Sequence, residues 1–272
     1  MNGIRTSDVQ QFIGELTAEG LSASRVRKVA IVMRMVMDAA VRDGLIRTNP
    51  VIGVRQPRIE REESPYFAPA IVDSIAEAMP TPEYVTLIRV LGLGGLRFGE
   101  AAALNRDRID ILQRRIMVRE ALTEVGGHLH QTATKTYQAR AVPLSPSLAA
   151  QLDAHLAGDV GKADAAPVFR GPQGGNLRYG AFYHRRWLPA LAKLGLPAVG
   201  LHVLRHSAAA RMIQAGASPK AVQSILGHRS AAFTLSVYGH IFDADLDDLA
   251  ARLDSCSPDV PPTLTVIDGA NG

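Results

Sequence analysis

The segment LHVLRHS, residues 201–207, places two histidines and an arginine side by side in otherwise apolar surroundings. If a helix begins at His202, then Arg205 and His206 share its face, because residues three and four apart are neighbours on a helix. Two histidines at this spacing could bind zinc, but the helical zinc-protease motif has a glutamate where this chain has Val203, and Arg205 would put a fixed positive charge beside the metal. Histidines that cap or pack a helix start are the other interpretation.

Four further segments carry reactive side chains in order along the chain. They are GLRFGE with Arg97, TKTYQARAVPL with Lys135, LGHRS with His228 and TLSVYGH with Tyr238. In this ordered combination the chain resembles the tyrosine recombinases of the phage integrase family, over about residues 6–254. The resemblance implies one active-site set, made of Arg97, Lys135, His202, Arg205, His228 and Tyr238. His206 and His240 also match the family pattern and are expected behind the reacting groups.

The chemistry of DNA strand breakage requires these residue types. A tyrosine can form a covalent phosphoester, and its phenol is a good leaving group when the strand is rejoined. With a reference pKa of about 10, the phenolate costs roughly 4 kcal/mol at pH 7. His202 is the expected base that offsets this cost. Arg97 and Arg205 present planar donors to phosphate oxygens whose charge grows in the transition state.

The remaining roles follow from the resemblance and from proton balance. The family assigns to the position of Lys135 the protonation of the departing 5′ oxygen, and His228 is expected to hydrogen-bond the phosphate. Glu100, one turn after Arg97, either orients basic groups or forms an ordinary surface pair. Attack by Tyr238 conserves the bond energy in a 3′-phosphotyrosyl link, so we expect no cofactor and no metal. The glycines of LGLGGLRFGE are too closely spaced for a P-loop.

Composition allows a soluble protein of two domains that works on DNA in the cytoplasm. The 272 residues are 47% hydrophobic and carry a net charge of only +4, but residues 1–58 hold nine Lys or Arg against five acids. Arg25, Arg27, Lys28 and Arg34 are candidate DNA contacts, with a solvated helix face as the alternative. A single cysteine, Cys256, excludes an internal disulfide, and no signal peptide or membrane span is apparent.

The elements that must position these residues are mostly helical. We predict helices from about Ser7 to Gly20 and from Ser22 to Asp43, the second burying Val26, Val29, Met33, Val36 and Ala40. The fold class is therefore mainly α with a small antiparallel β-sheet (α+β), and the sheet should place Lys135 near a hairpin turn. The expected domains are a helical core-binding domain (1–58), a linker (59–66), a catalytic domain (67–254) and a disordered tail (255–272).

The front of the chain departs from the family pattern, because core-binding domains have about four helices and only two precede this linker. We therefore expect a truncated core-binding domain, which leaves a non-catalytic DNA-binding remnant as the alternative function and a protein-interaction module as a third. The expected partner is double-stranded DNA. By resemblance the protein acts as a homotetramer on DNA and can be a monomer without it, with helix 244–253 either passed to a neighbour or folded back on its own domain.

Overall fold

The computed structural model of the chain describes residues 3–59, 65–133, 139–158, 160–228 and 230–242. Contacts divide the chain into two compact units, Met1–Glu63 and Ser64–Gly272. The predictions for Lys135, for helix 244–253 and for the tail 255–272 lie outside the described residues. None of the described helices is both long enough and apolar enough to cross a bilayer.

The first unit contains two helices, α1 (Thr6–Ala18) and α2 (Ala23–Arg42). The side chain of Ser22 accepts a hydrogen bond from the backbone N–H of Arg25, which caps the first turn of α2. The helices pack through two small apolar clusters, one around Val9 and Met37 and the other around Ile13 and Val26. Both predicted helices are therefore present within two residues of their expected ends.

The predicted apolar stripe of α2 is partly wrong. Val36 is 51% exposed, whereas Ala30 and Met37, which the prediction left out, are buried with Val26 and Ala40. The helix also has a second apolar face, made of Ile31, Val32, Met35 and Val36, and this face is exposed in this unit. The buried stripe therefore lies further around the helix than predicted. Periodicity alone does not choose between two apolar faces of one helix.

The second unit is mainly helical. Its α-helices in chain order are α3 (Pro69–Glu77), α4 (Pro82–Gly94), α5 (Phe98–Ala102), α6 (Pro146–Gly158), α7 (Tyr179–Phe182), α8 (Leu188–Lys193), α9 (His202–Gln214), α10 (Pro219–Leu226) and α11 (Ala231–Phe242). A π-helical turn, Tyr183–Trp187, joins α7 to α8. The prediction of a mainly α fold is confirmed.

Helix α4 lies at the centre of this unit and positions α9, which carries three of the candidate residues. Leu87, Ile88 and Leu91 are at most 2% exposed. At Gly92, an added Cβ would lie 2.5 Å from Val72 of α3 and 3.3 Å from Leu204 of α9. Glycine is therefore needed at this position for both helices to approach α4 closely.

The strands form two antiparallel sheets where the sequence predicts one. Strands β1 (Ile109–Asp110), β2 (Arg115–Val118) and β5 (Arg140–Pro143) make a sheet in the order β1-β2-β5, while β3 (Glu120–Val125) pairs with β4 (His128–Ala133) in a separate sheet. Gly126 and Gly127, both with positive φ, form the two-residue turn of the β3–β4 hairpin. The prediction of a small antiparallel β component is confirmed, and its division into two sheets is a correction.

Candidate active site

Arg97 lies in the short connection between α4 and α5. Gly95 ends α4 with φ of +77°, a left-handed conformation that favours glycine, and Leu96 is buried behind it. In the first turn of α5, the carboxylate of Glu100 accepts 2.8 Å hydrogen bonds from the backbone N–H and from Nη1 of Arg97. The sequence GLRFGE therefore holds Arg97 beside a carboxylate by local contacts alone.

Glu100 is itself buried, only 3% exposed, and the surface-pair interpretation of this residue is wrong. Arg140, at the start of β5, donates from Nη1 to Oε1 of Glu100 at 2.9 Å and from Nη2 to Oε2 at 2.6 Å. Burial raises the pKa of the Glu100 carboxyl, but the hydrogen bonds and charges of Arg140 and Arg97 more than offset it and lower the pKa to about 2. Glu100 is therefore ionised at any physiological pH.

The C-terminal end of α10 is bound by arginines. Three successive backbone carbonyls there each accept a hydrogen bond from a different arginine. The carbonyl of Ile225 accepts from Nε of Arg140 at 2.7 Å, that of Leu226 from Nη2 of Arg205, and that of Gly227 from Nη2 of Arg97 at 3.4 Å. Carbonyls at a helix C-terminus have no partner within the helix and carry partial negative charge, so guanidinium groups suit them.

Arg205 is the most deeply buried of these arginines, at 1% exposure. Its Nη1 donates to the carbonyl of Gly95 at 2.6 Å, so it joins the end of α4 to the end of α10. Burial and then the nearby charge of Arg97 lower the pKa of Arg205, and the group stays protonated at neutral pH. Three guanidinium charges, those of Arg97, Arg140 and Arg205, surround one carboxylate, which leaves a formal charge of +2 in this cluster.

The candidate histidines with described side chains, His202, His206 and His228, are neutral at physiological pH. Desolvation, and then the neighbouring His206, lower the pKa of His202 to about 4, although its surface is partly exposed. Desolvation, and then the charge of Arg205, lower the pKa of His228 to about 3 and also lower the pKa of His206. The Nδ1 atom of His228 lies 2.9 Å from Oγ1 of the buried Thr234.

Tyr238 of α11 is 3% exposed and packs between α9 and α10, against Ala209 and Leu226. Its phenol oxygen lies 2.7 Å from Nδ1 of His206, and its ring stacks on that of His228 with centroids 6.3 Å apart. Burial raises the pKa of Tyr238 to about 12, and the charge of Arg205 lowers it only in part. Of the described imidazoles, that of His206, which the sequence places behind the reacting groups, lies within hydrogen-bonding distance of the phenol oxygen.

The structure brings most of the predicted residues together at the ends of α4, α9 and α10. The residues that meet there are Arg97, Glu100, His202, Arg205, His206, His228 and Tyr238. Lys135 lies outside the described residues; His240 belongs to α11, but its side chain is not among those described. The described residues contain no group of three His, Cys, Asp or Glu side chains suited to a metal ion.

The predicted DNA contacts belong to the first unit. Arg25, Lys28 and Arg34 are exposed along α2, and Arg34 lies 4.0 Å from Asp38. Arg27 differs from them because its Nε donates a 2.9 Å hydrogen bond to the carbonyl of Pro57, which gives it a structural contact.

Arg140 is the functional candidate that the sequence analysis missed. It stands in the segment TKTYQARAVPL, in which only Lys135 was a predicted site residue. The sequence did contain a signal for this residue. Arg140 lies two positions before the buried Val142, so both side chains are on the same face of the strand. An inward-facing arginine implies a buried acidic partner.

Comparisons with known proteins agree on one family. The model of the phage integrase family matches residues 68–245. The ICEBs1 integrase of Bacillus subtilis (strain 168) is 24% identical over 256 residues, covering 91% of this chain and 70% of the relative. Tyrosine recombinase XerC of Ralstonia pickettii (strain 12J) is 28% identical over 269 residues, covering 94% of this chain and 80% of the relative.

Solved structures share the fold. The Tn1549 transposon integrase, in complex with a circular intermediate DNA, matches with a TM-score of 0.76 at 21% identity, covering 94% of this chain and 86% of that one. A lambda integrase dimer bound to a COC′ core site matches with a TM-score of 0.67 at 20% identity, covering 86% and 82%. With the family model matching well over half of its residues, the chain belongs to the phage integrase family of tyrosine recombinases.

Proposed function

We propose that Tyr238 is the nucleophile of this tyrosine recombinase and that the arginine cluster beside it receives the scissile phosphate. The enzyme class follows from the family, whose members break and rejoin DNA strands at specific sites. The observation that supports the residue assignment is the contact of 2.7 Å between the Tyr238 phenol and Nδ1 of His206, next to a buried cluster of net charge +2. A phosphodiester brings one negative charge, which such a cluster attracts.

The proton of the phenol goes to His206 in this scheme. The imidazole is neutral at pH 7 because its pKa is lowered, so in the tautomer with a bare Nδ1 it can accept a proton. The sequence prediction gave the base role to His202, but the hydrogen bond favours His206. The rings of His202 and His206 meet edge to face, with their centroids 4.9 Å apart. His202 is then free to donate a hydrogen bond to the phosphate.

The two arginines of the predicted set differ in their access to DNA. The side chain of Arg97 is 30% exposed, so its guanidinium can contact a phosphate oxygen directly. Arg205 is buried and both terminal nitrogens already donate to carbonyls, so it contributes mainly positive charge from beneath. That charge counters the negative charge that develops on the phosphate in the transition state.

The cycle conserves bonds and protons. The phenol oxygen forms a bond to phosphorus, the bond from phosphorus to the 5′ oxygen breaks, and the departing oxygen takes a proton from Lys135 by analogy with the family. A 5′-hydroxyl of the partner strand then attacks the phosphotyrosyl link and gives its proton back to Lys135, while the bond from phosphorus to the phenol oxygen breaks and the departing phenolate takes back the proton held by His206. His228 donates to a phosphate oxygen in both steps.

Binding and assembly follow from the same reaction. Solved relatives include an integrase in complex with DNA and an integrase dimer bound to a core site, and this supports double-stranded DNA as the partner here. Arg25, Lys28 and Arg34 are then available for phosphate contacts from the first unit. Exchange between two duplexes calls for a homotetramer on DNA, and the substrate implies the cytoplasm.

Covalent trapping tests the proposal. Protein is incubated with labelled DNA from the region flanking its gene, denatured with detergent and compared with Tyr238→Phe. Tyr66→Phe is the matched control, since Tyr66 is an exposed tyrosine. We expect an adduct from the wild type and from the control but none from Tyr238→Phe. A Tyr238→Phe adduct, or native-gel binding without any wild-type adduct, would contradict the proposal, and the second outcome would indicate a non-catalytic DNA-binding remnant.

A further inference from the structure

We propose that Arg140 is a positioning residue of the recombinase site, which fixes the Arg97 guanidinium and preserves the positive charge that faces the phosphate. The inference rests on the proposed function of the arginine cluster. Arg140 is 8% exposed and has no direct part in the reaction. It acts through Glu100 and through the end of α10.

Every nitrogen of the Arg140 guanidinium has a partner. Its two terminal nitrogens donate to the two oxygens of Glu100, at 2.9 and 2.6 Å, and Nε donates to the carbonyl of Ile225 at 2.7 Å. A paired guanidinium and carboxylate of this geometry has one orientation, so it fixes the carboxylate plane. Arg140 therefore joins β5, α5 and α10 at one point.

Glu100 passes this orientation on to Arg97. Oε1 of Glu100 accepts from Nη1 of both arginines, and Oε2 accepts from Nη2 of Arg140 and from the backbone N–H of Arg97. Without Arg140, the carboxylate would be free to rotate about its last side-chain bond and take the Arg97 guanidinium with it. A displacement of about 1 Å in a positioning group can cost about 100-fold in rate.

Arg140 also decides how much positive charge remains for the phosphate. Three arginines and one carboxylate give a net charge of +2, and removal of Arg140 lowers it to +1. The buried Glu100 would then be paired with Arg97 alone, so less of the Arg97 positive charge would remain for the incoming phosphate. Both effects act on the rate of cleavage once DNA is bound.

The loop that carries His228 depends on the same residue. Gly227 connects α10 to His228 with φ of +64°, and a Cβ built on it would lie 3.1 Å from Cδ of Arg140. The Arg140 side chain thus packs directly beneath this turn. Arg140 therefore also supports the turn that connects α10 to His228.

The test compares single-turnover cleavage by Arg140→Gln, Arg140→Lys and the wild type over a range of DNA concentrations. Arg89→Gln is the control, because Arg89 forms a partly buried ion pair with Asp73 and, among the described residues, shares no partner with the arginine cluster. We expect Arg140→Gln to lower the saturating cleavage rate about 100-fold, with the DNA concentration at half-saturation changed much less. Arg89→Gln should cleave at the wild-type rate.

A double variant separates positioning from a purely structural role. If Arg140 acts by holding and neutralising Glu100, then Arg140→Gln combined with Glu100→Gln should cleave no slower than Arg140→Gln alone. Multiplicative losses in the double variant would overturn the proposal. So would a folded Arg140→Gln protein that cleaves at the wild-type rate.

Folding and function remain distinguishable in this design. If Arg140→Gln does not fold, as judged by its thermal unfolding, Arg140→Lys decides, because lysine keeps the charge but cannot bridge both carboxylate oxygens. We expect its saturating rate to fall about tenfold, and a wild-type rate would refute the positioning role. Failure of the proposed function differs from all of these, because the wild type itself would then form no adduct that depends on Tyr238.

Discussion

Replacement of Glu100 by Gln should remove a large and strongly pH-dependent contribution to stability. The pKa of this carboxyl falls from 4.5 to about 2 in the fold, because its contacts with Arg140 and Arg97 outweigh the opposing effect of burial. The folded state therefore binds the proton more weakly than the unfolded chain does. The ionised carboxylate stabilises the fold above pH 4.5, and this contribution is lost as the pH falls towards 2.

The magnitude follows from the pKa difference. One pKa unit corresponds to 1.36 kcal/mol, so a difference of about 2.5 units is worth about 3 kcal/mol. Glu100 is 3% exposed, so solvent screening does not reduce this figure much. The same order of magnitude is typical when one partner of a buried ion pair is removed.

Urea unfolding at pH 7, 5, 4 and 3 measures the effect. We expect Glu100→Gln to be less stable than the wild type by about 3 kcal/mol at pH 7, and the gap to narrow to about 1 kcal/mol at pH 3. Glu77→Gln is the control, because Glu77 has a side chain 72% exposed and should change stability by less than about 1 kcal/mol. A constant gap between Glu100→Gln and wild type at all four pH values would refute the electrostatic explanation.

Three further predictions concern the parts around this cluster. In His206→Gln, the cleavage rate should rise about tenfold per pH unit between pH 7 and 9, because the Tyr238 phenol must then ionise without a base, while the wild-type rate stays constant. Equal pH profiles of the two proteins would exclude His206 as the base. Gly95→Ala should lower the free energy of unfolding by about 1–3 kcal/mol in urea, because its Cβ would lie 2.7 Å from Leu226 at a φ of +77°; unchanged stability would contradict that packing. Thr234→Val should slow cleavage while leaving the protein folded, because it removes the hydrogen bond that orients His228; a wild-type cleavage rate would show that the bond is dispensable.

Residues that carry local signatures could be found from the sequence. Arg97, Arg205 and Tyr238 each stand in a short motif, and the neighbouring helices α4 and α10 begin at capping residues and end at glycines. The predicted helices over Ser7–Gly20 and Ser22–Asp43 agree with α1 and α2 within two residues at each end. Local chain chemistry is enough for these elements.

Other features depend on contacts between distant parts of the chain. The buried face of α2 was predicted wrongly because the helix has apolar residues on two sides, and packing against α1 decides between them. The β3–β4 hairpin is separate from the larger sheet because β3 pairs with β4 across the turn at Gly126 and Gly127. Alternation along the strands does not specify which strands become neighbours.

Arg140 shows why the centre of the site could not be read from a motif. Its partners Glu100 and Ile225 lie 40 and 85 residues away in sequence, and only the fold brings them together. The fold also places three guanidinium groups, two of them buried, close to one another. The mutual repulsion of these guanidinium groups is offset in part by one carboxylate and by the carbonyls at two helix ends. These carbonyls are that of Gly95 at the end of α4 and those of Ile225 to Gly227 at the end of α10.

The offset is incomplete, and under the proposed function this is the property that suits the cluster to a phosphate. Four carbonyls supply partial charges, and Glu100 supplies one full negative charge against three positive ones. Full neutralisation would stabilise the free protein but leave little attraction for DNA, whereas no neutralisation would oppose folding. The remaining charge of +2 lies on donors whose positions are set by helix ends and by β5. Such donors can bind a phosphate without rearrangement. Electrostatic groups fixed in advance are the ones that lower a barrier most effectively.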